Sequence, residues 1–203
     1  MFSKPPQPQQ EAEAVDNPYG HLSVTIIAHT SERGRCVADL LPTLPKGVEI
    51  CIVFNEQGEE ESFELLKDET LADGTTLKFA EWRWKEFRFD HARNLALGLA
   101  ARPWVLWIDA DDVLVEKEPG ALRKLCTGWG AHIFVNSPVG NDMLPAAQWR
   151  LFPNNKGIHF IGRVHETPMM LGATPAIAGD VAILHMGYVN ASDQVMTAKA
   201  RRN

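Results

Sequence analysis

Only three cysteines occur in the 203 residues, Cys36, Cys51 and Cys126, with no CxxC pair. That excludes a disulfide framework and a zinc knuckle, and Cys51, inside the run EICIVF, reads as core filler. No stretch approaches the ~18 continuous apolar residues of a membrane span, and MFSKPPQPQQEAEAVDNPYG lacks the apolar middle of a signal peptide. These absences favour a reducing, cytoplasmic setting. Excess positive charge is lacking too: 26 Asp and Glu face 20 Lys and Arg, a net charge of −6. A non-specific nucleic-acid coat is therefore disfavoured, although residues 78–93, with five Lys/Arg against three Asp/Glu, leave room for a local basic groove. There is no G-x-x-x-x-G-K-[ST] phosphate loop and no internal repeat.

With 45% hydrophobic and 23% charged residues, the chain has the composition of a folded domain. Residues 1–20, rich in Pro, Gln and Glu, read as a flexible tail. From residue 21 the pattern predicts an α/β domain: strands at 22–30, 48–54 and, less sharply, 76–82, with helices expected at 32–44 and 59–71. FDHARNLALGLAA (89–101) is the best helix, with Asp90 as its N-cap, and it feeds a buried strand at 104–108. Alternation of strands and helices predicts a mostly parallel, Rossmann-type sheet with helices on both faces. Beyond 131, HIFVNSPVG, AQWRLFP and AILHMGYV predict a smaller mixed β part. The expected division is 21–115 as one half and 116–203 as the other, with a new helix expected to begin at KARRN, either a short cap or the start of a longer piece.

Asp109-Ala110-Asp111-Asp112 stands where the apolar strand ends. Residues i and i+2 of an extended chain share a side, so Asp109 and Asp111 converge, and two close carboxylates call for a cation or hydrogen-bond donors between them. Oxygen ligands suit Mg²⁺ or Mn²⁺ shared with substrate phosphates. The plainer alternative is a solvated acidic turn capping a helix near Glu116.

The order Phe89, Ala92-Arg93-Asn94, helix, apolar strand, Asp109 to Asp112 resembles the nucleotide-sugar half of glycosyltransferases of the GT-A fold, family 2. IGRVHET (161–167) and LHMGYV (184–189) resemble the later His-Glu and His-x-Gly-Tyr segments of that family. The resemblance implies a metal-dependent, inverting transfer of a sugar from a nucleotide-diphosphate sugar to a hydroxyl acceptor. Glu166 would be the catalytic base, its alternative being a structural partner of Arg163. Asp109 would reach ribose or metal, Asp111 would ligate the metal, and His185 would complete its shell or else be a satisfied core histidine. Arg93 would face phosphate oxygens or else lie on an exposed helix face, Arg150 would pair with donor phosphate or with acceptor, and Asn94 would bind donor or tie the loop to the Asp109 strand. His29, Thr30 and Asn55 stand where the family holds the nucleoside, but His29-Thr30-Ser31-Glu32 and Phe54-Asn55-Glu56 depart from its usual residues. Asp112 is expected to be a helix cap in preference to a partner of the metal ligands, and His165 and Tyr188 to pack. The acceptor stays open among a glycan, a lipid-linked sugar, a protein and a modified DNA base. Two rival readings are a non-catalytic nucleotide-sugar-binding module or inactive fragment, and a metal-dependent phosphohydrolase or nucleotidyltransferase.

Overall fold

A computed structural model describes residues 17–32, 34, 39–139 and 142–186. Four strands form its parallel centre: β1 (Leu22–His29), β2 (Glu49–Gln57), β5 (Thr76–Trp84) and β6 (Trp104–Asp109). Two short strands, β3 (Ser62–Leu65) and β4 (Glu69–Thr70), run antiparallel to β5. The chain then adds β7 (Asp112–Glu116), β8 (Ala131–Val139), β9 (Asp142–Pro153) and β12 (Ala176–His185) to the same sheet, in the order β3-β5-β2-β1-β6-β9-β8-β12-β7. A separate hairpin pairs β10 (His159–Ile161) with β11 (Thr167–Met169). Two α-helices have fully described bounds, α1 (Phe89–Leu99) and the single turn α2 (Ala121–Lys124).

Strands buried on both faces need apolar side chains at nearly every position, and β1 is buried from Leu22 to Ala28, β2 from Glu49 to Asn55. Val24, Ile26, Ile50, Ile52, Leu106 and Ile108 enter the main core on one face, joined by Leu122 and Ile133. On the other face Ile27, Val53, Ala80 and Trp82 receive α1 through Ala92 and Ala96, whose small side chains let the helix approach closely. A third cluster, built on Val105, Trp107, Phe152 and Phe160, fixes β10 beside β6 and β9.

The mixed part expected beyond 131 is present, but it continues the parallel centre as one sheet, which as a whole is mixed and not mostly parallel. β6 pairs antiparallel with β9, β8 with β9 and β7 with β12, while β8 and β12 are parallel, so the whole is mixed. Helices are few among the described residues: α1 packs on one face, and the single turn α2 meets the other through Ala121 and Leu122. The helix expected at 59–71 is β3 and β4 instead: Phe63 and Leu65 alternate at period two and extend the edge of β5. Of the short helix expected over 32–44 with a stop near Pro42, residues 34 and 39–40 are helical and Leu41–Thr43 form a 3₁₀ turn, while 33 and 35–38 lie outside the described residues. Asp90 is not the N-cap of α1; Arg88 is, and Asp90 sits in the first turn, accepting from the Arg88 guanidinium at 2.7 Å and the His91 N–H at 2.9 Å. Residues 1–16 of the expected tail lie outside the described residues, as do Tyr188 and KARRN. Its end, 17–20, is a turn in which Tyr19 is buried and its hydroxyl donates to Glu116 at 3.1 Å.

Candidate functional site

Parallel strands bring their carboxyl ends to one edge, where polar side chains replace apolar ones on three of them, His29 on β1, Asn55 on β2 and Asp109 on β6, and Trp84 ends β5. All four border a cleft of about 730 Å³ that is also lined by Arg93, Asp111, Arg150, Glu166 and His185. Residues from widely separated stretches of sequence thus share one cavity. Two of the expected donor contacts lie off it. Asn94 locks α1 to β10, its amide donating to the Phe160 carbonyl at 2.9 Å and accepting from the Phe160 N–H at 2.8 Å. Thr30 donates to the Asn55 carbonyl at 3.3 Å, so its hydroxyl supports the end of β2.

Two almost fully buried guanidiniums hold the centre. Arg93 donates to Asp109 and, at 3.0 Å, to Glu166, while its third nitrogen reaches the Ile108 carbonyl at 3.2 Å. Arg150 donates to the other Asp109 oxygen at 3.1 Å and approaches Asp112 at 3.5 Å. Both lie against the Trp107 ring, Arg150 at 3.6 Å and Arg93 at 4.5 Å from its centroid. Two desolvated cations against one aromatic ring persist because carboxylates compensate them. Burial opposes the charge on Asp109, but Arg93 and Arg150 outweigh it and hold the carboxyl well below the usual range. The alternative that made Glu166 a structural partner of Arg163 is corrected: Arg163 pairs with Glu86, and the partner of Glu166 is Arg93.

Arg150 owes its position to a backbone irregularity. Ala131 of β8 faces Leu151 of β9, but His132 faces Trp149, so Arg150 is the extra residue of a β-bulge. Bulges re-aim a side chain that regular alternation would place elsewhere.

Asp112 is not a helix cap; it opens β7. Its side chain is wholly buried, with one oxygen accepting from the Asp109 N–H at 2.9 Å and the other 2.7 Å from His185 Nδ1. Burial and the neighbouring Asp109 charge push its pKa up. The His185 pKa is raised, first by its hydrogen bond to Asp112 and against the effect of burial, with Asp111 adding to the rise. The helix cap that the acidic turn suggested falls instead to Glu116, which accepts from the Leu122 N–H of α2 at 2.8 Å.

Asp109, Asp112 and His185 each offer a ligand atom within 4.8 Å of the others, and Asp111 comes within 3.5 Å of His185 Nδ1. Two or more carboxylates with one imidazole form a donor set that fits Mn²⁺ or Mg²⁺. Asp109, Asp111 and His185, the three expected ligands, border the cleft, whereas Asp112 does not.

His165, expected to pack, is exposed on the cleft rim with φ 58°, the left-handed region, immediately before Glu166. Sequence reasoning missed Trp107 altogether; its position two residues before Asp109 on the same strand was the available signal. Trp149, given no role, also borders the cleft, and its carbonyl accepts from Trp107 Nε1 at 2.7 Å. Among the described residues, no helix is long and apolar enough to cross a membrane.

No protein-family profile matches the chain. Over 159 residues it is 26% identical to the SPbeta prophage-derived glycosyltransferase SunS of Bacillus subtilis (strain 168), and equally to glycosyltransferase SunS of Bacillus phage SPbeta. The match takes in 75% of this chain and 36% of the relatives, so the chain spans about a third of their length. Among solved structures, S. aureus TarS 1–349, also solved in complex with UDP, aligns over 62% of this chain and 38% of its own with a TM-score of 0.41 and 21% identity. By sequence, this chain is a relative of glycosyltransferases.

Proposed function

We propose that this chain carries the donor site and catalytic groups of a metal-dependent, inverting glycosyltransferase of GT-A type, using a nucleotide-diphosphate sugar and a hydroxyl acceptor. The observation that carries the reading is the convergence of Asp109, Asp111, His185, Arg93, Arg150 and Glu166 on one cleft at the ends of parallel strands, the place where open α/β sheets bind nucleotides. The 26% identity to glycosyltransferases agrees with it.

In this reading Asp109, Asp111 and His185 hold Mn²⁺ or Mg²⁺, which when bound neutralises the charge that gathers on the departing diphosphate. Arg93 and Arg150 supply fixed positive charge beside it. His29 and Asn55, at the ends of β1 and β2, lie on the nucleoside side, and Asn55 is braced there by donating to the Ala28 carbonyl at 2.8 Å. Glu166 takes the proton of the acceptor hydroxyl as that oxygen attacks the anomeric carbon from the face opposite the leaving group. Arg93 holds Glu166 through Oε1, which fixes the direction in which the carboxylate faces the cleft. Thr30 and Asn94 support the walls without touching the donor.

Glu166→Gln keeps the shape and loses the base. Isothermal titration with a nucleotide-sugar is expected to show donor affinity within a few-fold of wild type, and initial rates a fall of about 10²–10⁴-fold. A Glu166→Gln protein with normal turnover would move the base elsewhere. The alternative, a binding module without catalysis, predicts donor binding by wild type and no transfer to any acceptor in a panel of glycans, lipid-linked sugars, peptides and DNA.

A further inference from the structure

The geometry points to Asp112 as a positioning residue for His185, one that acts through the imidazole and leaves the metal to others. It rests on the metal-dependent reading above. Three observations carry it. The Asp112 side chain has no solvent exposure and does not border the cleft, whereas Asp111 and His185 do. Its Oδ1 lies 2.7 Å from His185 Nδ1, inside the range of a charge-assisted hydrogen bond. Its Oδ2 is engaged by the Asp109 main-chain N–H at 2.9 Å, with the Arg150 guanidinium at 3.5 Å, so both oxygens are directed at protein groups.

The two ring nitrogens of a neutral histidine are not equivalent: the one that carries the proton donates, and the other holds the lone pair a metal needs. A carboxylate at Nδ1 accepts that nitrogen's proton in a hydrogen bond, which leaves the lone pair on Nε2 and fixes the ring's rotation. Carboxylates behind metal-bound histidines do this generally, and losing one costs about 10–100-fold in metal affinity. Here the same carboxylate also closes the Asp109–Asp112 turn, and Met186 N–H donates to the Asp111 carbonyl at 2.9 Å. Asp112 therefore ties the end of β12 to the end of β6 and sets the distance between Asp109, Asp111 and His185. The four residues Asp109 to Asp112 thus divide their work. The first and third face the cleft, and the fourth holds the imidazole that joins them.

The test uses ¹⁵N-histidine-labelled protein without metal at alkaline pH, where the imidazole is neutral, together with Mn²⁺ affinity measured by electron paramagnetic resonance. Wild type is expected to show His185 as the Nδ1–H tautomer. Asp112→Ala is expected to lose that preference and to bind Mn²⁺ about 10–100-fold more weakly; Asp112→Asn, which keeps an acceptor at Nδ1, should retain the tautomer in part and lose less. A wild-type His185 in the Nε2–H form would overturn the proposal, and this reading needs no variant to fold. Weaker Mn²⁺ binding by Asp112→Ala with the tautomer unchanged would overturn it in favour of direct ligation by Asp112. A folded Asp112→Ala protein with wild-type affinity would overturn it as well. Wild type that shows the expected tautomer but binds no Mn²⁺ would instead refute the metal reading beneath it.

Discussion

Glu49 shows how a single charged residue is made tolerable in this interior. It is 3% exposed at the start of a buried strand, yet Ser23 Oγ and the Ala101 N–H donate to one oxygen at 2.6 Å each, and Lys78 lies 2.8 Å from the other. Burial raises its pKa, but the Ala101 N–H, Lys78 and Ser23 together outweigh that and leave it lowered. A lowered carboxyl stabilises the fold above its ordinary value of 4.5, and that contribution is lost as pH falls through the folded value. Glu49→Ala leaves Lys78 with only the Leu99 carbonyl, at 3.1 Å, and leaves the Ser23 hydroxyl and the Ala101 N–H without their acceptor. Urea denaturation at neutral pH should show a loss of about 3–5 kcal/mol, with a shallower further loss on acidification than wild type shows. At this scale the sequence was informative where chemistry and spacing coincide. Asp109 and Asp111 announce themselves as closely spaced acids after an apolar strand, although the structure puts Asp111 in a turn where an extended run was expected, and Arg93 stands out as a cation on a helix that feeds that strand. Asp112 was misread because it was taken to begin a helix; the residues after it, Val113-Leu114-Val115, alternate as a strand. The partner of Glu166 was misread because Arg163 is near in sequence, whereas Arg93, 73 positions away, is near in space.

Among the elements, the β8–β9 pair decides where Arg150 points, and Gly130 makes that pair possible. Its φ is +75°, and a Cβ there would lie 2.0 Å from the Leu151 carbonyl oxygen, next to the bulge that displays Arg150. Gly130→Ala must move backbone. It is expected to lower the urea midpoint by the equivalent of about 1–3 kcal/mol or more and to weaken donor binding through Arg150. An unchanged midpoint would show that β9 can shift freely. The strong elements, β1, β2, α1 and β6, were legible because each carries one unbroken pattern of burial. The acidic segment 59–71 was not. Its charges suit an exposed helix as well as an exposed edge strand, and only the open edge of β5 decides between them. The bulge is invisible in sequence, since β8 and β9 are paired by long-range contacts that local spacing does not report.

For the molecule as a whole, the parallel centre and the mixed half are one sheet joined through the antiparallel β6–β9 pair. That join explains the composition of the cleft. His29, Asn55 and Asp109 come from the parallel strand ends, while Arg150 and His185 come from β9 and β12 in the mixed half. Alternating elements in the first half made its strand ends predictable as a site. The second half supplies its residues through antiparallel pairings, so its contribution could be named from resemblance but not placed. The account's central claim is that the cleft holds a nucleotide-sugar through a divalent cation carried on Asp111. The most direct measurement is a thermal-shift screen of nucleotide-sugars, with and without Mn²⁺, on wild type and Asp111→Asn. A true donor at 100 times its Kd adds about 2.7 kcal/mol, which for a chain of this size raises the Tm by about 5–10 °C. The account predicts that rise for at least one donor, only with Mn²⁺ and only in wild type; no rise with any donor, or an equal rise in Asp111→Asn, would contradict it.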